Sequence, residues 1–206
     1  MKKTAIGLTI LTTIFLVISC FFAVNIHTKK TAVAKKEIPI YAIYSDYALD
    51  VDNPNEVVGD ADFVFVGKVK KELETIYKNK TPMEQEDGTI EYIGEAYTHY
   101  EIEVISNLKN SLDTNKVITI EKQGGLREDG SAYDVFEDDQ LPEAGGVYIF
   151  NAYKQDDGSL QVAGANSTII LDEKNNHIDT EKEVIKTEEY KTYEDAVENQ
   201  LTRQEG

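Results

Sequence analysis

The sequence predicts a small all-β domain, an antiparallel barrel or sandwich, preceded by an N-terminal hydrophobic helix. Three observations lead there. Five or six short apolar or alternating runs are separated by turn residues, helical spacing appears only at the edges of the domain, and residues 4–26 contain no charge at all. Strands bounded by turns with peripheral helices suit an all-β architecture. A chain of 206 residues, 41% of them hydrophobic, is enough for one core of ordinary size. The expected organisation is a signal or anchor segment (1–30), a linker and leading segment (31–53), and a barrel domain with a C-terminal helix (54–206).

Met1-Lys2-Lys3 followed by 23 uncharged residues reads as an export address, long enough to cross the ~30 Å hydrocarbon layer as a helix. It has three competing versions. The run is an uncleaved anchor; or Val17-Ile18-Ser19-Cys20 is a lipobox and Cys20 is the lipidation candidate; or Ala32-Val33-Ala34 is a cleavage site and the product is secreted. Phe21, Phe22 and Val24 continue the apolar run where lipoproteins turn polar. Each version places the domain on the extracytoplasmic face of the cell membrane or beyond it, although Lys29, Lys30, Lys35 and Lys36 weigh against that orientation by charge count.

The linker ends at Pro39, and Tyr41, Ile43, Tyr44 and Tyr47 form a cluster fit to pack on the domain. Asn53-Pro54, with Glu56 two residues on, marks a helix start: asparagine caps, proline suits the first turn, and the acid complements the dipole. That helix leads into Ala-Asp-Phe-Val-Phe-Val-Gly, residues 61–67. Phe63 and Phe65 point one way and Val64 and Val66 the other, so both faces need cover, as in a central strand. Gly67 marks a bend or a close approach, and the strand is expected to continue to about Tyr77.

Residues 78–95 read as a polar loop with an Asp87-Gly88 turn, Ile90, Tyr92 and Ile93 being a possible extra strand. From 97 to 108, Thr98, Tyr100, Ile102 and Val104 alternate with His99, Glu101 and Glu103, giving a half-buried strand. Residues 116–123 form another, with Ile118 and Ile120 on one face. Gly124-Gly125 opens an acidic loop running to Ala144, and Gly145-Gly146 releases a strand apolar on both faces, 147–153. Asp157-Gly158 joins it to a short strand at 160–163, and 168–171 is one more. Residues 172–189 are charged and read as a tether. Tyr193, Ala196, Val197, Gln200 and Leu201 then fall at helical spacing.

Composition excludes as much as it suggests. The chain has 38 acidic and 21 basic residues, and residues 1–30 hold four of the basic ones and no acid, so the remainder carries a net −21. Such a surface repels phosphates, which argues against nucleic acid and leaves cations, basic proteins or cationic wall components as partners. With Cys20 the single cysteine, the domain has no internal disulfide.

The strand series resembles a known plan. The short helix, Asp62-Phe63-Val64-Phe65-Val66-Gly67-Lys68-Val69, Tyr100-Glu101-Ile102-Glu103-Val104-Ile105 closing on Leu108-Lys109-Asn110, and residues 117–121 are similar to the opening of the OB-like (Greek-key) barrels of the tissue inhibitors of metalloproteinases and netrin modules. They also resemble uncharacterised secreted proteins of Gram-positive bacteria built on that plan. The resemblance covers roughly residues 54–171 and implies the barrel, not the activity. Those inhibitors act through an N-terminal cysteine pinned by disulfides, and this domain has none to carry that role over.

No glycine-rich nucleotide motif, GxSxG elbow or HExxH is present. His27, His99 and His177 are far apart, and His99 on a polar strand face suits a solvated cross-strand pair better than catalysis. Asp50 with Asp52, or Asp156 with Asp157, are the places where a calcium ion would find carboxylates, without EF-hand spacing. Tyr77, Tyr92, Tyr97 and Tyr100 could line an aromatic strip. The expectation is therefore a binding module with no catalytic residues, metal or cofactor, presenting loops 78–95 and 125–144 to a protein or wall partner. The alternatives are a cell-wall-acting carboxylate or metal-dependent hydrolase, and an inhibitor of an envelope protease using residues 124–130.

Overall fold

Both edge helices and the strand pattern between them are present in a computed structural model that describes residues 38–85, 87–172, 178 and 180–202. By their contacts the residues divide into two units, Met1–Glu37 and Ile38–Gly206, and all that follows concerns the second. Cys20, the apolar run, the Ala32-Val33-Ala34 site, His27 and His177 lie outside the described residues. Among the described residues no helix is long and apolar enough to cross a membrane. The elements in chain order are β1 (Ile40–Ile43), α1 (Pro54–Asp60), β2 (Phe63–Glu84), β3 (Ile90–Lys109), β4 (Val117–Gln123), β5 (Gly125–Leu126), β6 (Tyr133–Phe136), β7 (Val147–Lys154), β8 (Leu160–Val162), β9 (Thr168–Asp172), α2 (Glu181–Val184) and α3 (Glu188–Glu198).

Five strands close a ring in the order β2-β3-β4-β8-β7 and back to β2. All its pairings are antiparallel except β4 with β8, and β9 adds to β7. A smaller sheet of order β1-β6-β5 pairs the leading segment in parallel with β6. The fold is mostly β, as the sequence predicts.

Helix α1 begins where the cap chemistry places it: the Asn53 side chain accepts from the Asn55 N–H, with Pro54 in the first turn. At its other end Lys109 donates to the carbonyls of Val58 (2.6 Å) and Gly59 (3.2 Å), placing a cation at the negative end of the helix. Burial lowers the Lys109 pKa, with Asp62 and Asp60 opposing. Asn110, in the left-handed region at φ 56°, donates to the Asp62 carbonyl at 2.6 Å.

Over residues 64–66 strand β2 is covered on both faces. Phe65 and Val69 point into the ring with Tyr100, Ile102, Val104, Ile120 and Phe150, whereas Val64 and Val66 point outward under Val58, Ile149, Tyr190, Tyr193 and Ala196. Burying each such side chain contributes about 1.5–3 kcal/mol, so β2 ties two cores together. Gly67 fits because a Cβ there would collide with Ile102 and crowd Phe65 and Phe150 at 3.4 Å.

Four expectations are corrected. Strand β2 runs past Tyr77 to Glu84, and residues 78–95 form the far end of a β2–β3 ribbon instead of a loop, because Ile90, Tyr92 and Ile93 pair with Glu84, Pro82 and Thr81. The acidic stretch 125–144 carries β5 and β6, held by β1. Within the expected tether, Glu181–Val184 is helical, with the Glu183 carboxylate accepting from the Thr180 N–H and hydroxyl and Val184 fully buried. The last helix starts at Glu188, so Tyr190 joins its buried face and Leu201 lies beyond it, exposed.

Candidate binding site

The β2–β3 ribbon leaves the ring and continues as an arm over residues 78–95. A turn closes it: Gln85 and Gly88 donate backbone bonds at 2.8 and 2.9 Å to Thr89 and Gln85, with Gly88 at φ 80°. The Asp87 carboxylate accepts from the Thr89 hydroxyl and N–H, which hold its pKa below the usual range. With no third strand beside it among the described residues, the arm leaves its apolar side chains bare: Met83 is 51%, Ile90 65% and Tyr92 61% exposed. Pro82 is tolerated there because an isolated ribbon has free edges.

The β5–β6 hairpin faces this arm. The Tyr77 hydroxyl donates to the Leu126 carbonyl at 3.1 Å, and Lys80 pairs with Glu128 at 2.9 Å. Arg127 forks onto Asp134 through Nε and Nη2, at 2.6–3.0 Å, hydrogen bonds that raise its pKa further. Its guanidinium lies 4.8 Å from the ring centre of Tyr41, which joins β1 to the same wall. Between arm and hairpin lies a cleft of about 510 Å³, with Met83, Tyr92 and Ile93 on one side and Arg127, Glu128 and Asp129 on the other. Lys80 and Arg127, its two cations among the described residues, are both paired to acids, while Glu91 accepts from the Gln85 amide and Asp129 from Ser131.

At the base of the arm, Lys78 bonds Glu121 at 2.6 Å and lies 4.7 Å from the Tyr97 ring centre. His99 Nε2 sits 3.1 Å from Glu121 Oε2, so the cross-strand pair is present, but it is partly buried instead of solvated. The Tyr97 hydroxyl donates to Glu95 at 2.9 Å, and burial with that carboxylate pushes its pKa up to about 12. The tyrosines pack separately instead of lining a strip: Tyr100 is inside the ring, Tyr97 is buried in the wall, Tyr77 reaches the hairpin and Tyr92 is exposed. Tyr77 lies on β2 and the other three on β3, whose Tyr92 is in the exposed arm and whose Tyr97 and Tyr100, an odd number of residues apart, point to opposite faces.

The aspartates considered for calcium serve turns. Asp50 accepts from the Asp52 N–H, and Asp157 from the Ser159 N–H. Among the described residues no cluster of three His, Cys, Asp or Glu could hold a metal ion. A second cleft, about 740 Å³, lies between β1, β6 and the 139–144 loop, with Ile40, Tyr133, Leu141 and Pro142 on its walls. Of residues 124–130, Gly124 and Gly125 are buried and residues 128–130 are exposed.

One group escapes the sequence reading. The side chains of Lys122 and Asp139 are fully buried and in direct contact, with Ser167 against both. The signal was present: Ile118 and Ile120 face inward, and the same alternation carries Lys122 in after them. Neither a scan against protein-family models nor a search of curated proteins finds a match to the chain.

Proposed function

We propose that this chain is an extracytoplasmic, membrane-tethered binding module, its ring an OB-like barrel of the inhibitor and netrin kind, and that it captures a cationic protein segment in the cleft between the arm and the β5–β6 hairpin. The observation that carries this reading is the convergence of residues 78–95 and 125–134, distant in sequence, on one cleft with an unpaired excess of acid and bare apolar side chains. Such a mixture suits a protein partner: apolar anchors supply affinity and complementary charge supplies steering. The ring order with its single parallel pairing supports the OB-like reading.

Hydrolysis by paired carboxylates is less well supported. A general acid needs a raised pKa, whereas the carboxylates displaced here, Asp87, Asp129, Asp157 and Glu188, are all lowered by hydrogen bonds.

The test places a photo-crosslinking residue at Tyr92 in living cells, with Val117 on the ring wall as control. A discrete adduct from position 92 is expected, absent from position 117 and lost when Asp129 and Glu91 are made neutral. Partner capture unchanged after removal of residues 79–94 overturns the assignment.

A further inference from the structure

We propose that Lys122 and Asp139 are joined by a spontaneous intramolecular amide bond that staples β4 to the loop before β7. Both side chains are fully buried, and Lys122 Nζ rests directly against Asp139 Oδ2. Two more groups complete a reaction site. The Ser167 hydroxyl lies 2.6 Å from Lys122 Nζ and 2.9 Å from Asp139 Oδ2, bridging nucleophile and leaving oxygen. The Thr168 N–H donates to Asp139 Oδ1 at 3.0 Å, where negative charge would develop on the carbonyl oxygen.

The step balances without an oxidant or co-reactant. Proton transfer from the ammonium to the carboxylate gives a neutral amine and a neutral acid, the pair that reacts. Nζ then attacks Cγ. One Nζ proton passes through the Ser167 hydroxyl to Oδ2, the Cγ–Oδ2 bond breaks, and that oxygen leaves as water. Burial supports the neutral amine, lowering the Lys122 pKa against the opposing pull of Asp139. Fixed contact between the reacting groups replaces the entropy cost of bringing them together, and exclusion of water disfavours hydrolysis of the product. Asp139 and Gln140 border the larger cleft, which gives the released water a way out.

A plain buried ion pair is the competing state, and mass spectrometry of the full chain after denaturation and trypsin digestion separates the two. Trypsin cannot cut after an acylated lysine. Expected is a branched peptide joining the Lys122 and Asp139 segments, lighter by one water than the sum of its parts. It should be absent from the Lys122→Met/Asp139→Ala double variant. In Ser167→Ala the linked fraction, followed in a pulse-chase after synthesis, should rise about a hundredfold more slowly, the scale of a lost proton relay. Wild-type protein that yields peptides cut after Lys122, with Asp139 unmodified, overturns the proposal without need of any variant. A branched peptide that persists in the double variant also overturns it, since the linkage then lies elsewhere.

Discussion

At position 67 the centre of the ring has room for a hydrogen atom and little else. Gly67→Ala would press a methyl group onto Ile102 between Phe65 and Phe150, and overpacking of this kind costs about 1–3 kcal/mol. Urea denaturation should show that loss as a lower midpoint with an unchanged slope. Tyr97 and Tyr193 carry a pH prediction. Burial pushes the pKa of each up to about 12 from an ordinary value of 10.0, with Glu95 assisting at Tyr97 and a bond from Asn151 opposing at Tyr193. Above pH 10 the unfolded chain releases these protons before the folded one does, so their stabilisation is complete below pH 10 and is lost as pH rises toward 12. The Tyr97→Phe/Tyr193→Phe variant should show a shallower alkaline fall in denaturation midpoint than the wild type. Both tyrosines were visible in the sequence, but burial on one face of β3 and on the inner face of α3 was what moved them.

Among elements, the arm and α1 make a contrast. Asn53→Ala removes the cap of α1 and should cost about 1 kcal/mol, measured by thermal melting, because α1 packs Val58 on the outer core. The arm should behave in the opposite way. Replacing residues 79–94 by a two-residue turn removes side chains that are almost all exposed, and the ring should keep its stability within about 0.5 kcal/mol, the usual range for surface changes. The start of α1 was legible because its cap is chemistry within four residues. The arm was not, since Lys78 to Glu84 is polar and pairs only because Ile90 to Ile93 comes back along it. Pairing across a turn overrides weak strand propensity.

For the whole molecule, charge is the dominant feature that composition alone displays. Residues 31–206 carry a net −21 by sequence, and several exposed pairs, such as Lys70 with Glu103, neutralise only a few of those acids. Shortening the Debye length from about 30 Å at 0.01 M salt to about 10 Å at 0.1 M weakens self-repulsion. The melting temperature should therefore rise with sodium chloride over that interval, and scanning calorimetry would register a fall if paired charges dominated.

The amino-acid order alone determined that the domain is mostly β, that residues 63–66 are covered on both sides, and that glycine turns lie at 88 and 158. These are local facts, set by periodicity and by backbone freedom. Only the tertiary structure decided that the ring closes through a parallel β4–β8 pairing, that the arm faces the β5–β6 hairpin, and that Lys122 meets Asp139 and Ser167. Each of those joins residues far apart in the chain, and nothing in a local pattern states which distant partner will fill the space it leaves.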